Sequence, residues 1–271
     1  MGEKRREKEV AWALVLGSSS GFGEACSLEL ARSGMNIFGV HLDRRATLPH
    51  VEDVVREIQS TGRQAVFFNN NAADPEQRKI VLDQMEETFR QTRQPATVRV
   101  LLHSLAFGTL KPYLADHFDD SLQPSQVEMT VDVMAHSLVY WVQDLVRRKL
   151  MGEGGRIFAM TSSGAARVFP TYGAVSAAKA ALESHIRQLA FELAPLGITA
   201  NAIRAGVTDT PALRRIPGYD KLLEGALRRN PSRRLTTPRD VAAAITVLAQ
   251  PGAYWMTGNV IGVDGGEDIV G

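Results

Sequence analysis

Tyr172 and Lys179 stand seven positions apart in the run Tyr172-Gly-Ala-Val-Ser-Ala-Ala-Lys179. That separation puts a phenol and an ammonium group on one face of a helix, two turns from each other. Near the start of the chain, Gly17-Ser-Ser-Ser-Gly21-Phe-Gly23 follows directly on the apolar run Ala13–Leu16. Glycines spaced in this way between a strand and a helix suit a pyrophosphate. Gly17 permits a tight turn, Gly21 lets the backbone approach the ligand, and Gly23 lets the helix close on the strand. The helix N-terminus adds unpaired N–H groups and a positive dipole end, with Phe22 in its first turn, and Ser18, Ser19 and Ser20 add hydroxyl donors. A nicotinamide cofactor site followed by a proton-donating dyad reads as an oxidoreductase.

These residues need rigid elements to place them. Strand-like runs fall at Trp12–Leu16, Asn36–Val40, Gln64–Asn69, Val98–His103, Gly155–Met160, Thr199–Ile203 and Val260–Val263. Helical patterns fall between them at Gly23–Ser33, Val51–Ser60, Pro75–Gln91, Gln126–Leu150, Tyr172–Leu196, Lys221–Arg229 and Pro238–Ala249. Short continuous apolar strands alternating with helices predict an α/β fold, a doubly wound parallel (Rossmann) sheet of about seven strands with helices on both faces. The whole chain, 1–271, reads as a single dinucleotide-binding oxidoreductase domain. The Pro/Arg-rich stretch Pro211–Arg234, within 207–235, is the one long excursion. It follows a late strand, where ligands sit in such sheets, so it reads as a substrate-covering flap or, equally, as a surface insertion.

Composition narrows the partners. Hydrophobic residues at 44% and charged residues at 23% fit a globular protein with a sizeable core, and a net charge of +1 gives no global reason to expect nucleic acid. The pairs Arg147/Arg148, Arg214/Arg215, Arg228/Arg229 and Arg233/Arg234 are read first as solvated helix faces and second as a basic patch for an acidic partner. Cys26, the sole cysteine, excludes an internal disulfide and fits a reducing compartment. The N-terminal residues Met1–Glu9 carry both charge signs and do not resemble a signal peptide; Arg6 stands where a myristoylation motif wants Ser or Thr. No run approaches the ~18 apolar residues needed to span a membrane, so the expectation is a cytoplasmic protein. No His/Cys/Asp/Glu cluster has metal-ligand spacing.

The choice of nucleotide rests on the end of the second strand. A carboxylate there favours a ribose 2′-hydroxyl and repels a 2′-phosphate. By spacing from Gly17 the position falls at His41, with Asp43 two residues on and Arg44 and Arg45 following. Two guanidiniums suit a 2′-phosphate, while Asp43 pulls the other way; NADPH is preferred over NADH. Asn71, with Ala72 beside it, ends the third strand where a polar side chain would meet the adenine amino group. Ser104, Leu105 and Ala106 follow His103 at the end of the fourth, where backbone meets the adenosine ribose.

Taken together, these motifs resemble the short-chain dehydrogenase/reductase superfamily from about Val10 to Gly266. Gly17–Gly23 are similar to its nucleotide fingerprint, and Asn201-Ala-Ile-Arg-Ala205-Gly206-Val-Thr208-Asp-Thr210 to its loop around the nicotinamide carboxamide. Val263-Asp-Gly-Gly266 is similar to its C-terminal signature. Most ketone reductases of the superfamily place Tyr four residues before Lys; here that position is Val175, which has no proton to give. The displaced Tyr172 resembles enoyl-acyl-carrier-protein reductases of fatty-acid synthesis. His103-Ser-Leu-Ala-Phe107 and Asp132-Val-Met-Ala-His-Ser137 are similar to the same subfamily, with Met134 where ketone reductases commonly carry an Asn.

The resemblance implies roles. Tyr172 donates a hydrogen bond to an enolate oxygen, Lys179 holds the nicotinamide ribose, and Ser162 aligns with the usual catalytic serine. Many enoyl reductases have a second tyrosine at Ser162, leaving it a second donor or a remnant. Ala205, Gly206, Thr208 and Thr210 hold the carboxamide; Phe107, Phe169 and Pro170 wall an acyl pocket or belong to the core. In conjugate reduction the hydride lands two bonds further from the charged oxygen than in ketone reduction. The donor must therefore retreat, and a shift of about one helical turn, ~5 Å, supplies this. His103 reads as a satisfied strand-end residue and His136 as a pocket-adjacent one.

The first expectation is an NAD(P)H-dependent enoyl thioester reductase. Its acidic partner would be an acyl carrier protein, and it would form a homotetramer through the helices beginning near Gln126 and Tyr172. The second is a reductase or alcohol dehydrogenase acting on a ketone, sterol or polyketide carbonyl, which Val175 opposes. The third is a sensor of the NADPH/NADP balance without turnover, a role the fold can carry, which an intact Tyr/Lys pair opposes.

Overall fold

The computed structural model describes residues 9–92 and 94–270; the charged Met1–Lys8 stretch and the signal-peptide and myristoylation readings placed on it lie outside them. In chain order the main elements are β1 (Val10–Leu16), α1 (Gly21–Arg32), β2 (Asn36–His41), α2 (Leu48–Ser60), β3 (Ala65–Asn69), α3 (Pro75–Gln91) and β4 (Ala96–His103). They continue with α4 (Pro124–Val131), α5 (Ser137–Arg147), β5 (Arg156–Thr161), α6 (Gly173–Leu193), β6 (Thr199–Ala205), α7 (Tyr219–Arg229), α8 (Pro238–Leu248) and β7 (Val260–Val263).

The seven strands form one parallel sheet in the order β3-β2-β1-β4-β5-β6-β7. Its inner strands are buried on both faces, which is why β2 and β5 read as unbroken apolar runs rather than alternating ones. One face packs Leu14, Leu16, Leu101 and Ile157 under Trp141, Leu182 and Ile186. The other packs Val15, Val100, Leu102 and Phe158 under Cys26, Leu30 and Ile245. Trp12 stacks on Phe38 at 4.1 Å between ring centroids. Cys26 is buried and its thiol is pushed up to about 12 by burial, so it is inert.

Helix starts follow the sequence signals. Asp74 accepts the Gln77 N–H at 2.9 Å ahead of Pro75, and Thr237 with Asp240 forms a capping box ahead of Pro238. The strand order reverses between β1 and β4, so their carboxyl ends, Leu16 beside His103, open a crevice.

Two expectations are corrected. The helix read over Gln126–Leu150 runs without a break over Pro124–Arg147 but is not α-helical throughout: a π turn at Asp132–His136, holding the buried Met134 and Ala135, joins α4 to α5. Tyr172 is not a helical residue but the N-cap of α6, one position outside the first turn. No helix among the described residues is long and apolar enough to cross a membrane.

Candidate active site

The crevice begins at the glycine turn. Gly17 and Gly21 have left-handed φ angles of 87° and 56°. A Cβ on Gly17 would stand 2.6 Å from the Ser104 carbonyl oxygen, and one on Gly23 would overlap the Gly17 carbonyl. The turn is thus bare backbone that only glycine fills, the cradle a diphosphate needs at the N-terminus of α1. Phe22 packs its side chain on the core, leaving its backbone at the helix start. The Ser18 hydroxyl is committed to the Val40 carbonyl at 3.3 Å and the Ser19 hydroxyl to Asp43, so the exposed Ser20 carries the available hydroxyl. The loop after β6 closes on this turn: a Cβ on Gly21 would touch the Thr210 methyl at 3.5 Å. Thr208 donates to the Gly206 carbonyl at 2.9 Å and Thr210 Oγ1 accepts the Leu213 N–H at 3.2 Å, so both hydroxyls shape the loop Ala205–Thr210.

At the end of β2, His41 donates to Asp43 at 3.0 Å and Thr47 donates to Asp43 at 2.7 Å. Burial pushes Asp43 up, but hydrogen bonds from Ser19, Thr47 and His41 outweigh it and hold the carboxyl below its ordinary range. Burial keeps His41 lowered against the opposing pull of Asp43. Arg44 and Arg45 are exposed and make no ion pair among the described residues. Asn71 lies beyond β3; its side-chain oxygen accepts the Ala73 N–H at 3.0 Å with one of its two lone pairs. The Ala72 carbonyl accepts the Trp141 indole at 2.8 Å. Ser104 is held by its N–H on the Leu16 carbonyl at 2.9 Å, with Leu105 on the core and Ala106 exposed.

On the catalytic side, Ser162 Oγ accepts the Gly164 N–H at 3.1 Å, capping the turn Ser163–Ala165. Its own proton stays available and is shared with the Tyr172 phenol, to which Ser162 is hydrogen-bonded. Burial raises the phenol's pKa against that bond. Gly164 is required beneath the ring, since a Cβ there would meet Tyr172 Cε1 at 2.5 Å. Phe169 meets Tyr172 edge-on at 6.0 Å. Thr171, immediately before, holds a φ of 61°, a strained angle for a β-branched residue. Lys179 is 5% exposed and donates to the Met160 carbonyl at 2.7 Å. Burial lowers it to about 8, opposed by the charge of Glu183.

The remaining expectations sort by contact. His103 is fully buried. Ser137 Oγ already donates to the Val133 carbonyl, so it accepts from His103 Nε2 at 2.8 Å. Burial and then the Lys179 charge push His103 down to about 3, so it stays neutral and is no general acid at pH 7; its Nδ1 has no partner, so it is not fully satisfied. His136 turns to His185 at 2.9 Å, toward α6. Phe107 is 60% exposed rather than walling a closed pocket, and it is joined on the same loop by exposed Tyr113, Leu114 and Phe118. Tyr113, Gly164 and Thr171 escaped the sequence reading. Tyr113 covers Gly173, where a Cβ would meet its ring at 2.5 Å, and only an aromatic residue in a polar loop hinted at it. No group of three or more His, Cys, Asp or Glu that could hold a metal occurs among the described residues.

Residues 17–267 match the family described as Enoyl-(Acyl carrier protein) reductase. The 1-cyclohexenylcarbonyl-CoA reductase of Streptomyces collinus is 32% identical, the match covering 95% of this chain and 87% of that protein. The NADPH-dependent aldehyde reductase-like protein, chloroplastic, of Arabidopsis thaliana is 30% identical over 94% of this chain and 93% of its own. The crystal structure of the enoyl-[acyl-carrier-protein] reductase (NADH) from Aquifex aeolicus VF5 superposes with a TM-score of 0.82 at 26% identity, covering 97% of this chain and 98% of that one. The three names differ in substrate, and the two that give a nucleotide give NADPH and NADH.

Proposed function

The chain belongs to the enoyl-(acyl carrier protein) reductase family of short-chain dehydrogenases/reductases and is an NAD(P)H-dependent oxidoreductase, and from this premise we propose that it reduces the 2,3 double bond of an enoyl thioester. One observation carries the reading. Val175, where a ketone reductase needs its phenol, is buried with Met134 and Ala178, and a Cβ on Gly108 would stand 3.0 Å from both Val175 and Met134. No donor reaches a carbonyl from that position. The donors are Tyr172, three residues earlier at the N-cap of α6, and Ser162, in the turn after β5 and hydrogen-bonded to it.

The glycine turn, the end of β4 and the loop Ala205–Thr210 would hold the dinucleotide, which supplies a hydride when bound. Tyr172 donates to the thioester oxygen as negative charge moves onto it, and Ser162, whose oxygen accepts the Gly164 N–H, is the second donor. The Lys179 ammonium, with one proton on Met160, keeps two for ribose hydroxyls and sets a positive charge near the forming enolate. Protonation at the α-carbon completes the reduction.

The reading is tested by following dinucleotide absorbance with crotonyl thioesters of coenzyme A and of acyl carrier protein beside ketone and aldehyde substrates. Turnover is expected on the thioesters; turnover on carbonyls alone would support the reading as a carbonyl reductase. The reading includes fatty acid biosynthesis and a cytoplasmic homotetramer as its setting. Exposed Tyr254, Trp255 and Met256 near the β7 edge, and exposed Phe191 on α6, favour assembly.

For the nucleotide we favour NADPH over NADH. The Asp43 carboxylate is occupied by Ser19, Thr47 and His41, whereas Arg44 and Arg45 stand free beside it. Replacing both arginines by alanine should raise KM for NADPH about 10- to 100-fold, the worth of one or two charge-assisted hydrogen bonds, with KM for NADH little changed. Equal effects on both nucleotides would remove the arginines from 2′-phosphate recognition.

A further inference from the structure

We propose that Glu267, assisted by Asp268, is a positioning residue that latches three separate segments around the reacting centre: the loop Ala205–Thr210, the excursion carrying α7, and the turn after Ser162. Glu267 is 6% exposed, and both of its oxygens are engaged. Oε2 accepts the Val207 N–H at 3.0 Å, and Oε1 faces Arg229 Nη2 at 3.4 Å. Val207 belongs to the loop that closes on the glycine turn; Arg229 ends α7. Asp268 makes the matching ties on the other side. Its carboxylate pairs with Arg167 and with Arg204, each at 3.0 Å, and its backbone carbonyl accepts from Arg167 at 2.8 Å. Arg167 lies in the turn that follows Ser162, and Arg204 in β6. Asn230, next to Arg229, donates to the Asp264 carbonyl at 2.9 Å, which pins the end of the excursion to the same C-terminal turn.

The three contacts made through Val207, Arg229 and Arg167 lie outside the strands, so the sheet alone does not fix their relative placement. What they share is this pair of carboxylates. Exposed ion pairs contribute little, but a buried carboxylate is costly unless fully partnered. Glu267 is placed where both partners belong to active-site segments. Gly206 fits tightly against it: a Cβ there would stand 2.9 Å from Glu267 Oε2. A hollow of about 10 Å³ between Ser163, Gly206 and the two carboxylates is the size of one water. Arg204 Nε and Arg229 Nε, both buried, have no protein partner. The latch rests on the loop Ala205–Thr210 holding the dinucleotide and is independent of which bond is reduced.

The test therefore needs no substrate. In the full chain, Glu267→Ala should raise the NADPH dissociation constant, read by tryptophan fluorescence, about 10-fold, as loss of one charge-assisted hydrogen bond does. It should also speed trypsin cleavage between Arg228 and Arg234 in the cofactor-free protein. Glu267→Gln keeps an acceptor for the Val207 N–H and should restore affinity to within about 2-fold, while losing the Arg229 charge pairing and so staying protease-sensitive. Unchanged affinity and cleavage in Glu267→Ala would overturn the proposal, as would affinity and Tm falling together in both variants. If Glu267→Ala does not fold, Arg229→Gln severs the α7 arm alone. Faster cleavage at unaltered NADPH affinity is then expected, and unaltered cleavage would overturn the latch.

Discussion

Tyr172→Phe should lower kcat for enoyl-thioester reduction about 10²- to 10³-fold while leaving dinucleotide affinity within about 2-fold, as loss of one oxyanion donor does. The ring would stay where it is, held over Gly164 and against Phe169, so only the hydroxyl is lost. Ser162 remains as a donor, its oxygen accepting the Gly164 N–H, and accounts for the residual rate. The alternative is equally concrete. If Ser162 were the principal donor, Ser162→Ala would be the more damaging change and Tyr172→Phe nearly silent. Steady-state kinetics of the two variants beside a binding titration separates these cases.

Lys179→Met should cost more, at least about 10³-fold in kcat/KM, because it removes both a charge close to the developing enolate and a ribose-holding donor. A pH profile gives a sharper reading than the loss alone. Burial lowers Lys179 to about 8, against the opposing charge of Glu183. Its cationic form is therefore complete well below pH 8 and is lost as pH rises through that value. The wild-type kcat/KM should be level below about pH 8 and fall about tenfold per pH unit above it. In Lys179→Met that descent should vanish. A descent that survives the substitution would assign the titration to another group. His103, the nearest buried imidazole, is no substitute: pushed down to about 3, it is neutral throughout this range.

Much of this was legible in the residues. The strand read at Val260–Val263 and the helix at Pro75–Gln91 have the same ends in the structure, because Pro75, the Asp74 cap and the turn at Gly265 punctuate them clearly. Continuous apolar runs such as Ile37–Val40 announced buried parallel strands. The π turn at Asp132–His136 was not legible, since apolar spacing looks alike over one irregular turn. The N-cap position of Tyr172 was also hidden; it follows from the left-handed Thr171, a residue type that gives no warning of such an angle.

In the site, motif-borne residues were readable and contact-borne ones were not. The glycine turn, Tyr172 and Lys179 carry their chemistry in type and spacing. Side-chain commitments escaped: the Ser18 hydroxyl turned to Val40, the Asn71 side-chain oxygen accepting from Ala73, the Asp43 carboxylate folded back on Ser19. Such bonds depend on neighbours brought close only by the fold. The same holds for Glu267, whose partners Val207 and Arg229 lie far from it in sequence.

The most direct measurement follows the transferred hydrogen. With a nicotinamide deuterated at C4 and a crotonyl thioester, mass spectrometry and NMR of the product should find deuterium at the β-carbon of a saturated acyl chain, with a solvent-derived proton at the α-carbon. Deuterium on a carbinol carbon of a ketone or aldehyde product, with the enoyl thioester recovered unreduced, would contradict the assignment of Tyr172 as an enolate donor.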